Sequence, residues 1–141
     1  MPEVIAYVDS SVLLRFILDQ PDPLTDILQY DGRVTSSVTE VECLRGVESA
    51  KWRGLLSGEE AADRRRIVYA QLRRMRRLPV SLSVIRRAGE PCSLPVKSLD
   101  ALHLASALIV RDREAPGLVF ATHDRQLGRL AAALDMPVVG L

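Results

Sequence analysis

Val4-Ile5-Ala6-Tyr7-Val8-Asp9-Ser10-Ser11 decides how the rest of the chain is read. An apolar, β-branched run stops abruptly at a carboxylate and two hydroxyls. Val12-Leu13-Leu14-Arg15-Phe16-Ile17-Leu18 then continues mostly apolar. This pattern predicts a buried strand passing at once into a helix, with Asp9 at the joint. In open α/β sheets ligands sit outside the carboxyl ends of the strands, where Asp9 would project. An Asp at such a joint also serves simply as a helix N-cap. On this stretch alone both roles stay open.

Working outward, the chain alternates helix and strand signals. A short helix is expected over 24–30, ended by Asp31-Gly32, then a short strand over 33–36. A helix over 38–50 follows, with Ser36 or Ser37 as its cap. Residues 49–58, including the single Trp52, read as a loop. Ser57 caps a long helix predicted over 59–77, whose acids fall early and whose arginines fall late, as the helix dipole favours. The remaining expectations are a strand over 78–81, a helix over 84–89, a helix over 99–111 capped by Ser98, a strand over 118–122, a helix over 125–134 and a strand over 137–140. Strands separated by helices imply a parallel sheet covered on both faces.

The chain has 141 residues, 48% hydrophobic and 26% charged, which suits one domain spanning 1–141 with a full core. A net charge of +1 excludes a global field for nucleic acid, so such a site must be a local patch. Aromatics at 4% argue against base stacking as the main recognition device. Met1-Pro2-Glu3 shows no secretory signal, and no apolar run has membrane-spanning length. Cys43 and Cys92 have no ligand-like spacing and read as buried reduced thiols. The expected location is the cytoplasm, with no membrane partner.

Carboxylates recur where chemistry would use them. Asp124, in Thr122-His123-Asp124, ends the second clear strand, although it too can cap a helix. Asp100 stands in the first turn of a helix apolar almost all round, with Ala101, Leu102, Leu104, Ala105, Ala107, Leu108 and Ile109. At 3.6 residues per turn it lines up with Leu104 and Ala107, so it is expected to be at least partly buried. A fourth acid is Glu40 or Glu42, and periodicity does not choose between them. Two unit charges ~5 Å apart at an effective dielectric of ~20 repel by about 3 kcal/mol. Several such pairs rival a domain's whole stability, roughly 5–15 kcal/mol. Converging carboxylates therefore take up protons or bind a cation, and an oxygen-only donor set favours Mg2+ or Mn2+ over zinc. Such an ion suits phosphate chemistry.

Val8-Asp9-Ser10-Ser11-Val12-Leu13, Val41-Glu42-Cys43-Leu44-Arg45, Ser98-Leu99-Asp100-Ala101-Leu102-His103-Leu104-Ala105 and Ala121-Thr122-His123-Asp124-Arg125-Gln126-Leu127 together resemble the PIN-domain family. Order and spacing match over essentially the whole chain, and the Asp-Ala-Leu-His-Leu-Ala form looks most like VapC toxins of toxin–antitoxin pairs. The resemblance, not the periodicity, selects Glu42 over Glu40. It implies a three-layer α/β/α domain with a central parallel sheet of four to five short strands. It also implies a Mg2+- or Mn2+-dependent endoribonuclease, with Asp9 and Asp100 as principal metal ligands and Glu42 and Asp124 completing the site directly or through water. Ser11 and Thr122 would be supporting hydroxyls. The implied partners are an RNA substrate, a cognate antitoxin that lays an apolar segment over the toxin, and a second copy of the chain in a homodimer. The rival reading is a PIN-fold module that binds RNA or protein without cutting.

Other features divide evenly between a role and plain structure. Seven arginines crowd positions 64 to 77. Arg66, Arg73 and Arg77 project roughly opposite the apolar stripe, either toward an RNA backbone or as a solvated face. Trp52, Leu55 and Leu56 read as an apolar patch or as core. His103 and His123 read as packing or loop residues, since the metal mechanism needs neither.

Overall fold

The computed structural model describes residues 3–141. Met1 and Pro2, on which the expectation of no secretory signal partly rests, lie outside them. The opening stretch forms β1 (Ile5–Val8), and α1 (Ser10–Ile17) follows directly with Asp9 as its N-cap. The expected short helix is a single 3-10 turn over Asp26–Gln29. After it come β2 (Gly32–Ser36), α2 (Val38–Trp52), α3 (Gly58–Arg73), β3 (Arg76–Leu78) and α4 (Leu82–Ala88). The chain ends with α5 (Ser98–Arg113), β4 (Val119–Ala121), α6 (Arg125–Ala133) and β5 (Val138–Val139).

The five strands form one parallel sheet in the order β3-β2-β1-β4-β5. Alternation along the strands divides the core into two. Tyr7 and Phe120 point to the face covered by α5 and α6, through Leu104, Leu108, Leu127 and Leu130. Ala6, Val8 and Ala121 point to the other face, against Val12 and Ile17 of α1, Cys43 and Val47 of α2, and Val68 and Leu72 of α3. Both faces are covered, as a parallel sheet requires. The chain builds from β1 toward β3 on one side, then returns to place β4 and β5 on the other. The topological switch therefore falls between β1 and β4, and the crevice beyond their carboxyl ends is where such sheets bind ligands.

Several expected boundaries shift. α3 stops at Arg73 and not at Arg77, because Arg76 and Arg77 enter the sheet as an edge strand beside β2. The helix closes with the amides of Arg74 and Met75 bonded to the carbonyls of Gln71 and Leu72. Arg77 is thus a strand residue and shares no helix face with Arg66 and Arg73. The strand expected at 78–81 is correspondingly displaced, and Ser81 instead caps α4 by accepting from the Val84 amide. α2 runs on to Trp52 and is not broken at Ala50. At the start of α3, Ser57 and Glu60 form a reciprocal capping box, each backbone N–H bonding the other's side chain at 3.0 Å. Cys43 is buried as expected, whereas Cys92 is exposed, and both are free thiols. Among the described residues no helix is long and apolar enough to cross a membrane.

The last strand is closed by a backbone position that only glycine suits. Gly140 has φ +103, and a Cβ built there would lie 2.5 Å from the Thr122 carbonyl oxygen. Gly140→Ala is expected to cost about 1–3 kcal/mol, measured by denaturant unfolding, because strain and a backbone clash coincide.

Candidate active site

The capping and ligand readings of Asp9 are compatible in space. Its φ of −74° and ψ of 152° are those of an N-cap, and Oδ2 accepts the Ser11 amide at 3.4 Å. The same oxygen accepts the Ser11 hydroxyl at 2.6 Å and the Thr122 hydroxyl at 2.9 Å. Each hydroxyl in turn accepts one backbone amide at 3.0 Å, Ser11 from His123 and Thr122 from Asp124. Ser11 and Thr122 thereby lace the ends of β1 and β4 together across the switch point. The lacing fixes Asp9 Oδ2 and leaves Oδ1 facing inward.

Asp124 repeats the arrangement one strand away. It is the N-cap of α6, with Oδ1 accepting the Leu127 amide at 3.0 Å. Asp100 is half-buried in the first turn of α5, a helix whose buried residues include Ala101, Leu104, Ala105, Ala107 and Leu108. Burial raises its carboxyl pKa above the usual value. The charges of Asp124 and Asp9 push the same way, with a further contribution from Glu42, and His103 opposes them. The four acids thus share one electrostatic neighbourhood.

Of the two glutamates on α2, Glu42 turns inward. Its Oε1 accepts from His103 Nε2 at 2.5 Å, whereas Glu40 is half-buried and turns to Arg77, with which it pairs at 2.9 Å. His103 is fully buried, and its Nε2 also stands 3.5 Å from Asp9 Oδ1. Burial pulls the imidazole pKa down, but the Glu42 hydrogen bond and the charges of Asp9, Glu42 and Asp100 outweigh it, and the net direction is upward. Burial together with the Glu42 and Asp9 charges pushes the neighbouring Cys43 thiol up to about 12, so it stays protonated and is no nucleophile. His103, read from the sequence as a packing residue, is buried and also bonds Glu42. Its spacing carried a signal, because it follows Asp100 by three positions and so shares that face of α5.

The donor set tests the fit to a metal. Among the described residues no three acidic, His or Cys side chains are close enough to count as a ready-made metal centre. His103 Nε2 stands between Asp9 and Glu42, and among the described residues no Lys or Arg is ion-paired with any of the four carboxylates. What they offer is a half-enclosed set of hard oxygen donors with excess negative charge, and that chemistry suits Mg2+ or Mn2+. Two clefts meet at Asp124. One, of about 240 Å³, is lined by Lys97, Asp100, Asp124 and Gln126. The other, of about 340 Å³, is lined by Ser11, Arg15, His123 and Asp124.

None of the crowded arginines lines either cleft. Arg66 is paired with Asp63, and Arg77 with Glu40. Arg73 ends α3 just before β3 begins, at the amino edge of the parallel sheet and opposite the carboxyl ends. The basic side chains bordering the two clefts are instead Arg15 and Lys97. Trp52 and Leu55 are exposed, at 79% and 64%, whereas Leu56 packs against the core.

A family model described as PIN domain matches residues 6–133. The fold is similar to that of a chain in a toxin–antitoxin complex from Klebsiella pneumoniae, with a TM-score of 0.65 and 16% identity, covering 95% of each chain. It is equally similar to a chain in the crystal structure of VapBC2 from Rickettsia felis bound to a DNA fragment from their promoter. There the TM-score is 0.65 at 16% identity, with 96% of this chain and 97% of that one covered. At such identity the likeness concerns the fold. No curated protein matches the chain.

Proposed function

Because the chain belongs to the PIN-domain family, we propose that it is a Mg2+- or Mn2+-dependent endoribonuclease of the VapC type. The observation that carries this reading is the meeting of Asp9, Glu42, Asp100 and Asp124 in one electrostatic neighbourhood at the sheet's switch point. Asp9 and Asp100 are the principal ligands in this reading, and Glu42 and Asp124 complete the set directly or through water. When bound, such an ion would polarise a phosphoryl oxygen and lower the pKa of a water molecule, so that hydroxide could attack the phosphorus.

The chain's own residues do the rest. Ser11 and Thr122 fix Asp9 Oδ2, so Asp9 is held without needing the ion to order it. Asp124 spends Oδ1 on the α6 amide and keeps its second oxygen for the cleft. Arg15 and Lys97, each lining one of the two clefts that share Asp124, are suited to guide an RNA backbone past it. A cognate antitoxin is the proposed protein partner, since solved structures similar in fold come from complexes of that kind. The exposed Trp52 and Leu55 are one apolar surface it could use, and a homodimer working in the cytoplasm completes the proposal.

The test is direct. Purified protein with Mg2+ or Mn2+ should cleave RNA, stop on addition of chelator, and resume when the ion is restored. Metal binding with no turnover on any RNA, together with tight partner binding, would favour the non-cutting module instead.

A further inference from the structure

Two buried polar side chains beside the acids have no part in the mechanism above. Tyr7 and His103 are both fully buried, and the Tyr7 hydroxyl lies 2.7 Å from His103 Nδ1. The two rings meet edge to face, with centroids 5.9 Å apart and planes at 72°. A carboxylate only accepts, so the 2.5 Å contact requires that His103 Nε2 carry a proton and donate it to Glu42 Oε1. Along β1, Tyr7 stands two residues before Asp9 and therefore on the same side of the sheet. On α5, His103 stands three residues after Asp100 and shares its face. The pair thus reaches Glu42 and Asp9 from inside the core, on the face of α5 that also carries Asp100. A Phe and a Leu would fill this layer without burying two polar groups, so the polar pair needs a reason beyond packing.

We propose that His103 is a positioning residue for the acidic site and that Tyr7 fixes its ring, so that Glu42 is held with Oε1 inward and Oε2 toward the cation. This inference rests on the metal-dependent reading given above. Tyr7 locks the imidazole plane through Nδ1, and Nε2–H holds Glu42 against the charge of Asp9. Neither side chain touches RNA. The pair supplies order to a ligand set that is not assembled by its own carboxylates.

The experiment compares His103→Asn, His103→Gln and Tyr7→Phe by calorimetric Mn2+ titration and by RNA cleavage kinetics. An Asn amide can reach only the position of Nδ1, whereas a Gln amide reaches that of Nε2 and can still donate to Glu42. His103→Asn should weaken Mn2+ binding by about 10–100-fold, the usual effect of losing a partner that orients a ligand. Its kcat should fall with KM for RNA unchanged. His103→Gln should recover most of the loss, and Tyr7→Phe, which keeps ring and volume, should fall between. In a Glu42→Gln background the Asn substitution should add no further loss of Mn2+ affinity, because the route through Glu42 is already gone. Wild-type Mn2+ affinity in His103→Asn, or equal losses in the Asn and Gln variants, would overturn the proposal. If His103→Asn does not fold, Tyr7→Phe decides, and unchanged affinity there overturns it. Wild-type protein that binds no Mn2+ removes the functional reading and this proposal together. Wild-type protein that binds and cuts, with variants indistinguishable from it, removes this proposal alone.

Discussion

Asp100→Asn is expected to abolish metal-dependent RNA cleavage while making the metal-free protein more stable. The loss of cleavage should exceed about a hundredfold, since removing a ligand costs more than removing the group that orients one. The gain follows from the direction of the Asp100 shift. Burial, Asp124 and Asp9 raise the folded-state pKa, so the folded protein binds more protons than the unfolded chain in the interval between the two values. Stability contributed by this group therefore falls as pH rises from about 3.9, the ordinary Asp value, through the raised one. At neutral pH in chelator the carboxylate is a net cost, which Asn removes. Asp100 is only half-buried and solvent screens its neighbours, so the melting temperature should rise by about 2 °C. Below the ordinary Asp value the two proteins should melt alike. Saturating Mn2+ should reverse the order, because a ligand at 100 times its Kd stabilises the form that binds it by about 2.7 kcal/mol. A lower melting temperature for Asp100→Asn in chelator at pH 7 would contradict the electrostatic account of the site.

The second large effect is in the core. Phe120 is fully buried and stacks on Tyr7, with ring centroids 5.3 Å apart and planes within 14°. Phe120→Ala removes the ring from the layer between the sheet and the helices α5 and α6, and the surrounding strands cannot collapse into the space. A loss of about 3–5 kcal/mol is expected in denaturant unfolding, with a fall in melting temperature of about 10 °C or more. Phe16, at 48% exposure on α1, provides the control. Phe16→Ala should cost about 1 kcal/mol or less. Equal losses at the two positions would mean that the layer around Phe120 is not the one that holds the sheet to its helices.

The fold was legible wherever hydrophobic pattern and punctuation agree. The apolar run ending at Asp9, the apolar helix carrying Asp100 and the run over 118–122 each read correctly as to type. All three lie in the buried middle of the molecule, where pattern is under the strongest physical constraint. The sheet's edge was not legible. Arg76 and Arg77 look like the tail of a basic helix, because an edge strand is free to carry exposed charge, and charge there also discourages pairing with other chains. Helix propensity in the arginine run outweighed a three-residue strand whose half-buried apolar anchor is Leu78.

At the candidate site, periodicity left Glu40 and Glu42 equal, because both lie on a helix with little amphipathic contrast. Only the approach of α5 from the far end of the sequence separates them, giving Glu42 to His103 and Glu40 to Arg77. His103 itself was readable in part. Its position relative to Asp100 was available from helical spacing, but its meeting with Tyr7 across 96 positions of sequence was not. The hydroxyls of Ser11 and Thr122 show the same division. Each is visible beside its own acid, yet their convergence on one oxygen of Asp9 requires the pairing of β1 with β4.

The central claim is that these four carboxylates hold a divalent ion that cuts RNA, and cleavage across a Mn2+ titration tests it in wild type beside Asp9→Asn. The account predicts no cleavage in chelator, a rate that saturates with Mn2+ in the wild type, and a rate reduced by about a hundredfold or more in Asp9→Asn at every concentration. Cleavage that persists in chelator, or Asp9→Asn cutting as fast as wild type, would contradict it.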